Sequence, residues 1–394
     1  MAYYEVWLTD DAGRRIQLLK DLTYFSYTRS VNNLGSFQMG MPFNALKLNP
    51  FFLPDWRAEI WRSPADGVQM RLEDVYLLRK PVIYQRTDGV KVIQFYGRNG
   101  WDLLNRRSVI QRGGTTWATK TATADNVMKA IVREQMLYGS ALNASGVVDN
   151  TRGWPQNEFS VQGDNGLGPT ITVSFADKSV LDTVKDIKKL TQQLYLSAPT
   201  TYRKIYFDVT PISLSTTGNA LASPLGWEFR TYADLRGGDR TGGIVFSLEN
   251  ENIKEPSYSE NRLEEVTSVV VRGNGAGGSQ IVTTVDDATR VYASRWNRIE
   301  KVINASNEST ANGLTAAGNA ELFNGKPREE LAATILNRPG GSTAPRSLYG
   351  VDWDLGDLVR VDYANKQFNV ELTTIYVSVD EHGQEEITGR NEVQ

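Results

Sequence analysis

Residues 350–363 read GVDWDLGDLVRVDY. Three acidic residues, Asp352, Asp354 and Asp357, stand around Trp353, a carboxylate density that a metal site or a glycosidase would need. The residues beyond them argue otherwise. After Gly356 and Asp357, Val359, Val361 and Tyr363 point one way while Arg360 and Asp362 point the other, the period of two that marks a strand. Phe368, Val370 and Leu372 resume the alternation. The register slips by one at Thr373-Thr374, and Ile375, Val377 and Val379 carry it on, as a β-bulge in a long curved hairpin requires. The acids therefore belong to a turn leading into a strand. Carboxylate catalysis would need a second acid held across a shaped pocket, and no other segment supplies one.

Composition removes most other chemistry. The 394 residues contain no cysteine, so disulfides, thiolate zinc sites and cysteine nucleophiles are out. The single histidine, His382, lies in DEHGQE between two strand-like runs and reads as a solvated hairpin residue. Serine triads and histidine-rich metal sites lose their usual base and ligand. No catalytic, cofactor-binding or metal residue is expected, and no cofactor. A net charge of −3 gives no electrostatic reason to bind nucleic acid. Charge is uneven, however: residues 1–110 carry 15 Lys+Arg against 11 Asp+Glu, and residues 250–394 carry 14 against 22, which could steer one copy onto another. No apolar run reaches the length of a membrane span, and MAYYEVWLTDDAGRR lacks a signal-peptide core, so a soluble protein made in a cytoplasm is expected. Length favours two to three domains.

The first hundred residues alternate in short runs (YEVWLTD, IQLLKDL, YFSYTRS, SFQMGMP, AEIWRS, RLEDVYLLRKPVIYQR, VKVIQFYGR) joined by Gly and Asp turns, and predict an antiparallel sheet or barrel. A helix is expected at TADNVMKAIVREQMLYG, capped by Thr123 and stopped by Gly139, with Val127, Met128, Ile131, Val132 and Met136 on one face. A second begins at SVLDTVKDIKKLTQQL, where Ser179 and Asp182 form a capping-box-like pair. Strands return from 202. Residues 310–338 predict one more helical segment, with Pro327 in the first turn of PREELAATILN and Pro339-Gly340-Gly341 ending it. The remainder is β again. The fold class is mainly β with helical inserts (α+β).

Two glycine-rich motifs are weaker than they look. GNGAGG at 273–278 matches a dinucleotide turn, but SQIVTTV comes next where a helix is needed, so a hairpin loop is expected. RTYADLRGGDR at 230–240 could cradle an anion and reads better as a polar turn between strands. The nine tryptophans mostly alternate with polar residues in strands and belong to cores or interfaces.

Three segments carry a resemblance to a known family: LTYFSYTRSVNNLGSFQMGMP (22–42), with its Arg-x-x-Asn turn and G-x-F strand; YGRNGWDLLNRRSVI (96–110), with its Leu-Leu-x-x-Arg exit; and YGVDWDLGDLVRVDY with the hairpin ending in EEITGR. In this order they resemble the baseplate-hub or tail-tip hub proteins of tailed bacteriophages, the siphophage branch related to the hub of contractile-tail phages. The resemblance implies two tail-tube-like antiparallel β-barrel domains, residues 1–100 completed by about 201–260, and 261–306 with 345–394. It also implies inserts at 101–200 and 307–344 that hold neighbouring tip proteins. Three copies would close a homotrimeric ring adapting a sixfold tail tube to a threefold tip. DNA would pass through the lumen unbound, tube proteins and a possible tape-measure protein would lie above, and spike or receptor-binding proteins below. The expected place is the virion, with no membrane insertion and no fused fibre or lytic domain after Gln394. The sequence leaves two rivals open: a receptor- or cell-wall-carbohydrate-binding tail module, and a carboxylate-dependent wall hydrolase using Asp352, Asp354 or Asp357.

Overall fold

Alternation in the first hundred residues becomes seven strands: β1 (Tyr3–Thr9), β2 (Arg15–Leu19), β3 (Tyr24–Ser30), β4 (Ser36–Pro42), β5 (Arg57–Ser63), β6 (Arg71–Gln85) and β7 (Lys91–Asn99). The computed structural model describes every residue except 1, 32, 46–53, 111–117, 156–157, 176, 198–199, 214–224, 307, 337, 339–344 and 394. The seven strands run in the order β2-β1-β5-β6-β7-β4-β3, and the sheet then continues into the C-terminal strands Lys366–Val379 and Glu385–Val393, then Arg328–Ile335 and Ile253–Asn261.

The opening stretch decides this continuation. Leu358–Tyr363 pairs with residues 366–371, and β3 pairs with residues 374–379 of the same long strand. The register shift falls between Leu372 and Thr374, where the sequence places the bulge. The bulge is thus the point at which one strand edge exchanges its hairpin partner for β3. Thr373, the extra residue, accepts the Val31 N–H at 2.9 Å, so its carbonyl is not orphaned. Val359, Val361, Phe368, Val370, Leu372, Ile375, Val377 and Val379 are all buried, as their alternation predicts.

Mainly β with helical inserts is what the structure shows. The two closed barrels are not seen: among the described residues the pairing path is open, from β2 at one end to Ile253–Asn261 at the other. The reason is elementary. A strand has two edges, and residues 374–379 give one to β3 and the other to Glu385–Val393, which leaves none for closing a separate C-terminal barrel.

The helices are α1 (Trp101–Asn105), α2 (Ala124–Met136), α3 (Val180–Ser197), α4 (Ala288–Val291) and α5 (Ala311–Asn324). α2 buries the expected face. It ends at Met136, three residues before Gly139, because Leu137 turns extended. Thr123 takes the N-cap position, but its hydroxyl bonds the Asp125 carboxylate and not the backbone. At α3, Asp182 N–H donates to Ser179 Oγ at 2.9 Å and Ser179 Oγ donates back to the Asp182 carboxylate at 2.7 Å. The last helical expectation is corrected: α5 stops at Asn324, and Arg328–Ile335, the heart of PREELAATILN, is a strand. Leu331, Ala333 and Ile335 are buried at period two, and a sheet position with that pattern overrides the helix propensity of Glu, Leu and Ala.

The chain divides into two compact units, residues 1–191 with 203–256 and 332–394, and residues 192–202 with 257–331. In the second, Ser268–Arg272 pairs antiparallel with Val282–Asp286 and parallel with Glu300–Asn304, and α5 covers one face through Leu314 and Leu322 on Val269 and Val271. A Cβ on Gly318 would stand 2.5 Å from Val285, so only glycine lets α5 come this close. GNGAGG forms the hairpin loop expected of it.

Candidate functional site: the acidic turn and its arginine clamp

Chain reversal at 348–357 is built by Gly350, whose φ is +84° and whose N–H donates to Trp353 O at 2.7 Å. A Cβ there would lie 2.3 Å from the Arg71 guanidinium, so glycine is required twice over. Trp353 is buried edge-on against Phe246, with ring centroids 5.4 Å apart, and lies 5.0 Å from Tyr349.

The three carboxylates face three different partner sets. Asp352 accepts from Arg346 Nη2 at 2.6 Å and from Leu348 N–H at 2.8 Å. Asp354 accepts from Arg29 Nη1 at 3.1 Å and Arg71 Nη1 at 2.8 Å. Asp357 accepts from Gly238 N–H at 2.7 Å and Asp354 N–H at 2.8 Å, with Arg240 at 3.7 Å. RTYADLRGGDR is therefore the polar turn expected, and it does cradle an anion: the carboxylate of this chain's own Asp357. A Cβ on Gly237 would meet that carboxylate at 2.2 Å, which accounts for the first of the two glycines.

Behind Asp354 the network deepens into the sheet. Glu73, wholly buried, accepts from Arg71 Nε at 2.8 Å and Tyr27 OH at 3.3 Å. Arg29 Nη1 donates to Tyr349 OH at 2.6 Å. Arg62 on β5, also wholly buried, grips Glu385 with Nε at 2.6 Å and Nη2 at 2.8 Å and donates Nη1 to Tyr349 O at 2.8 Å. Burial works against the Asp354 charge, but Arg29 and Arg71 hold its carboxyl well below the usual carboxylate range. Burial also pushes the Tyr349 hydroxyl far up, so it stays a neutral donor and acceptor.

Beside this clamp lies a cleft of about 40 Å³ lined by Arg29, Glu73, Asp74, Asn99, Asp208 and Arg236. Asp208 is held by Trp101 Nε1 at 2.7 Å and Arg236 Nε at 2.7 Å. Asp74 accepts from Asn99 Nδ2 at 3.2 Å and Val75 N–H at 2.8 Å. Burial pushes the Asp74 carboxyl up to about 6; Arg29 and the Val75 N–H pull it down, and Asp208 adds to the rise. A raised carboxyl means the fold binds a proton between pH 4 and 6, so ionisation above pH 6 opposes folding. Wild type should therefore gain about 2–3 kcal/mol over Asp74→Asn as pH falls from 7 to 4, from the displacement of this one carboxyl. Urea denaturation at both pH values reads this difference; a constant gap between the two proteins would remove the assignment.

Asp352, Asp354 and Asp357 are each taken up by donors of the fold. Among the described residues no group of three His, Cys, Asp or Glu could hold a metal ion. His382 is exposed in the turn that Asp380 closes by accepting its N–H at 2.9 Å. Sequence reasoning placed the acids correctly in a turn and missed Arg29, Arg62, Glu73 and Glu385. The signal was present: Arg62 follows Ala58 and Ile60, and Arg29 follows Phe25 and Tyr27, in the inward phase of their strands. A charge in core phase needs a partner from elsewhere in the fold.

The fold is one shared with solved phage tail proteins, and its carboxylates at 352, 354 and 357 are held by arginines and backbone N–H groups. Residues 4–389 match the model of the Siphovirus ReqiPepy6 Gp37-like family, and the chain belongs to that family. Among solved structures it is similar to the 43 kDa tail protein of prophage MuSo2 from Shewanella oneidensis, 12% identical, with a TM-score of 0.56 and 98% of both chains covered. It is also similar to the tail protein from Neisseria meningitidis MC58, 10% identical, with a TM-score of 0.53 and 99% and 96% covered. A chain of the Francisella PdpA-VgrG complex, 9% identical, has a TM-score of 0.50, with 100% of this chain and 58% of that one covered. At these identities the likeness is one of fold. No curated protein matches the sequence. No helix among the described residues is long and apolar enough to cross a membrane.

Proposed function

We propose that the chain is a structural component of the virion tail tip: a homotrimeric hub that joins the sixfold tail tube to a threefold tip and forms part of the conduit for DNA ejection. The observation that carries this reading is a tail-protein fold along the whole chain in which Asp352, Asp354 and Asp357 all serve the fold. The open sheet fits it, because its end strands, Arg15–Leu19 and Ile253–Asn261, are edges that neighbours in a ring can cover. Tube proteins above and spike or receptor-binding proteins below are the partners of such a hub, and catalysis has no part in it.

A second reading, a glycan-binding tail module, has one observation in its favour: Tyr292 and Trp296 in the second unit are 83% and 90% exposed. Both readings meet in one experiment. Phage carrying an early stop codon in this gene should yield particles with tipless or unfinished tails, rescued by the protein supplied in trans. Complete tails that fail to adsorb would move the assignment to the glycan-binding module. Complete tails that infect normally would end the hub reading.

A further inference from the structure

The sheet register sets one residue from each of two oppositely charged hairpins, Lys80 and Glu386, at one height. Glu386 pairs with Ser378, Ser378 with Ser26, Ser26 with Gln38, Gln38 with Tyr96 and Tyr96 with Lys80. Lys80 and Glu386 thus end one row that crosses six strands. Five strand spacings, roughly 24 Å, keep them apart within one chain.

At one end of this row is the β6–β7 arm, residues 79–91, with Arg79, Lys80, Arg86 and Lys91 against Asp88 alone. At the other is the turn 380–386, with Asp380, Glu381, Glu385 and Glu386. Arg79 and Arg86 already pair with Asp55 and Asp88, whereas Lys80 and Lys91 have no carboxylate partner among the described residues. On the acidic side Glu385 belongs to the clamp and Asp380 closes its own turn; among the described residues Glu386 has the exposed Lys254 at 3.2 Å and Glu381 has His382 at 3.7 Å. The charges with no partner or an exposed one are therefore two lysines and two glutamates, Lys80 lying 5.3 Å from the Tyr96 ring.

The arm is also accessible. β5 and the residue before it pair with β6 only as far as Leu78, which leaves the outer edge of residues 80–85 unpaired among the described residues. Lys80 and Pro81 stand on that edge, the residue types that stop an exposed edge from adding a strand. Contact must then run through side chains, for which Ile83, Tyr84 and Val90 are exposed on the arm and Tyr376 on the strand leading to the acidic turn.

We infer that the β6–β7 arm docks on the turn 380–386 of a second copy of this chain, head to tail. Complementary surfaces at equal height are what rotation about an axis along the strands requires: each arm reaches the next copy's turn, and a closed ring leaves neither uncovered. This deepens the ring reading above and rests on it.

Light scattering on the purified full chain tests it with four proteins: wild type, Lys80→Glu with Lys91→Glu, Glu381→Lys with Glu386→Lys, and all four changes together. Each double reversal should raise the concentration needed for association by about tenfold or more, and the fourfold swap should bring it back toward wild type, which also shows that the reversals fold. A monomeric wild type, reversals without effect, or a swap no better than either reversal would overturn the inference. The stop-codon particles separate this failure from that of the hub: tipless tails beside unaffected masses leave a hub that assembles through another surface.

Discussion

Replacing Arg62 by alanine is expected to destabilise the protein by about 3–5 kcal/mol, because it leaves a carboxylate in the core without its counter-charge. Arg62 is wholly buried, and Glu385 nearly so. Three of its donors are used across chain separations of hundreds of residues, two on Glu385 and one on Tyr349 O, so the side chain ties β5 to both the acidic turn and the start of Glu385–Val393. Tyr4 OH also bonds Glu385, and its ring lies 5.1 Å edge-on from Phe25. Glu385→Gln should cost a comparable amount, since it strands the guanidinium instead. Arg62→Met with Glu385→Leu should cost far less than the sum of the single changes, because it removes the desolvation of both ions together with their attraction. A double-mutant cycle in urea measures all three. Arg62→Ala within about 1 kcal/mol of wild type, the range of an exposed pair, would show that water reaches this site.

The second large effect is expected for proline at Val370. Val370 is fully buried and pairs on both sides, with Val359 and with Val393. Proline has no N–H for the ladder and its ring needs the space of a neighbouring strand, so a loss of about 3 kcal/mol or more is expected, with Val361→Pro behaving alike. The native prolines mark the difference: Pro81 stands where β6 has no outer neighbour among the described residues, and Pro211 lies in Ile205–Ser213, an edge strand of a three-stranded sheet. Far-UV circular dichroism and thermal melting of the variant give the answer. A cooperative melt within a few degrees of wild type would mean that residues 366–371 are not an interior strand.

Much of this architecture is written in local pattern. Alternation from Val359 to Val379 contains both the strand and its bulge, because a register slip reverses which residues are apolar and a one-residue insertion is the only cure. The helix faces of α2 and α3 and the loop character of GNGAGG are legible for the same reason: each is decided within a dozen residues. PREELAATILN misled because its composition favours a helix while its alternation served a sheet, and only a neighbouring strand could settle the conflict.

Absent from any local window are the pairings that join residue 379 to residue 25 and residue 62 to residue 385. A turn sequence tells that Asp352, Asp354 and Asp357 leave the strand, but not what awaits them. Arg29, Arg71 and Gly238, which hold these acids, lie more than a hundred residues away in sequence. Charge and alternation are properties of single residues and short runs, so the chain carries them before folding. Which edge a strand accepts, and hence which arginine neutralises which carboxylate, depends on contacts between segments hundreds of residues apart and exists only once the sheet has formed.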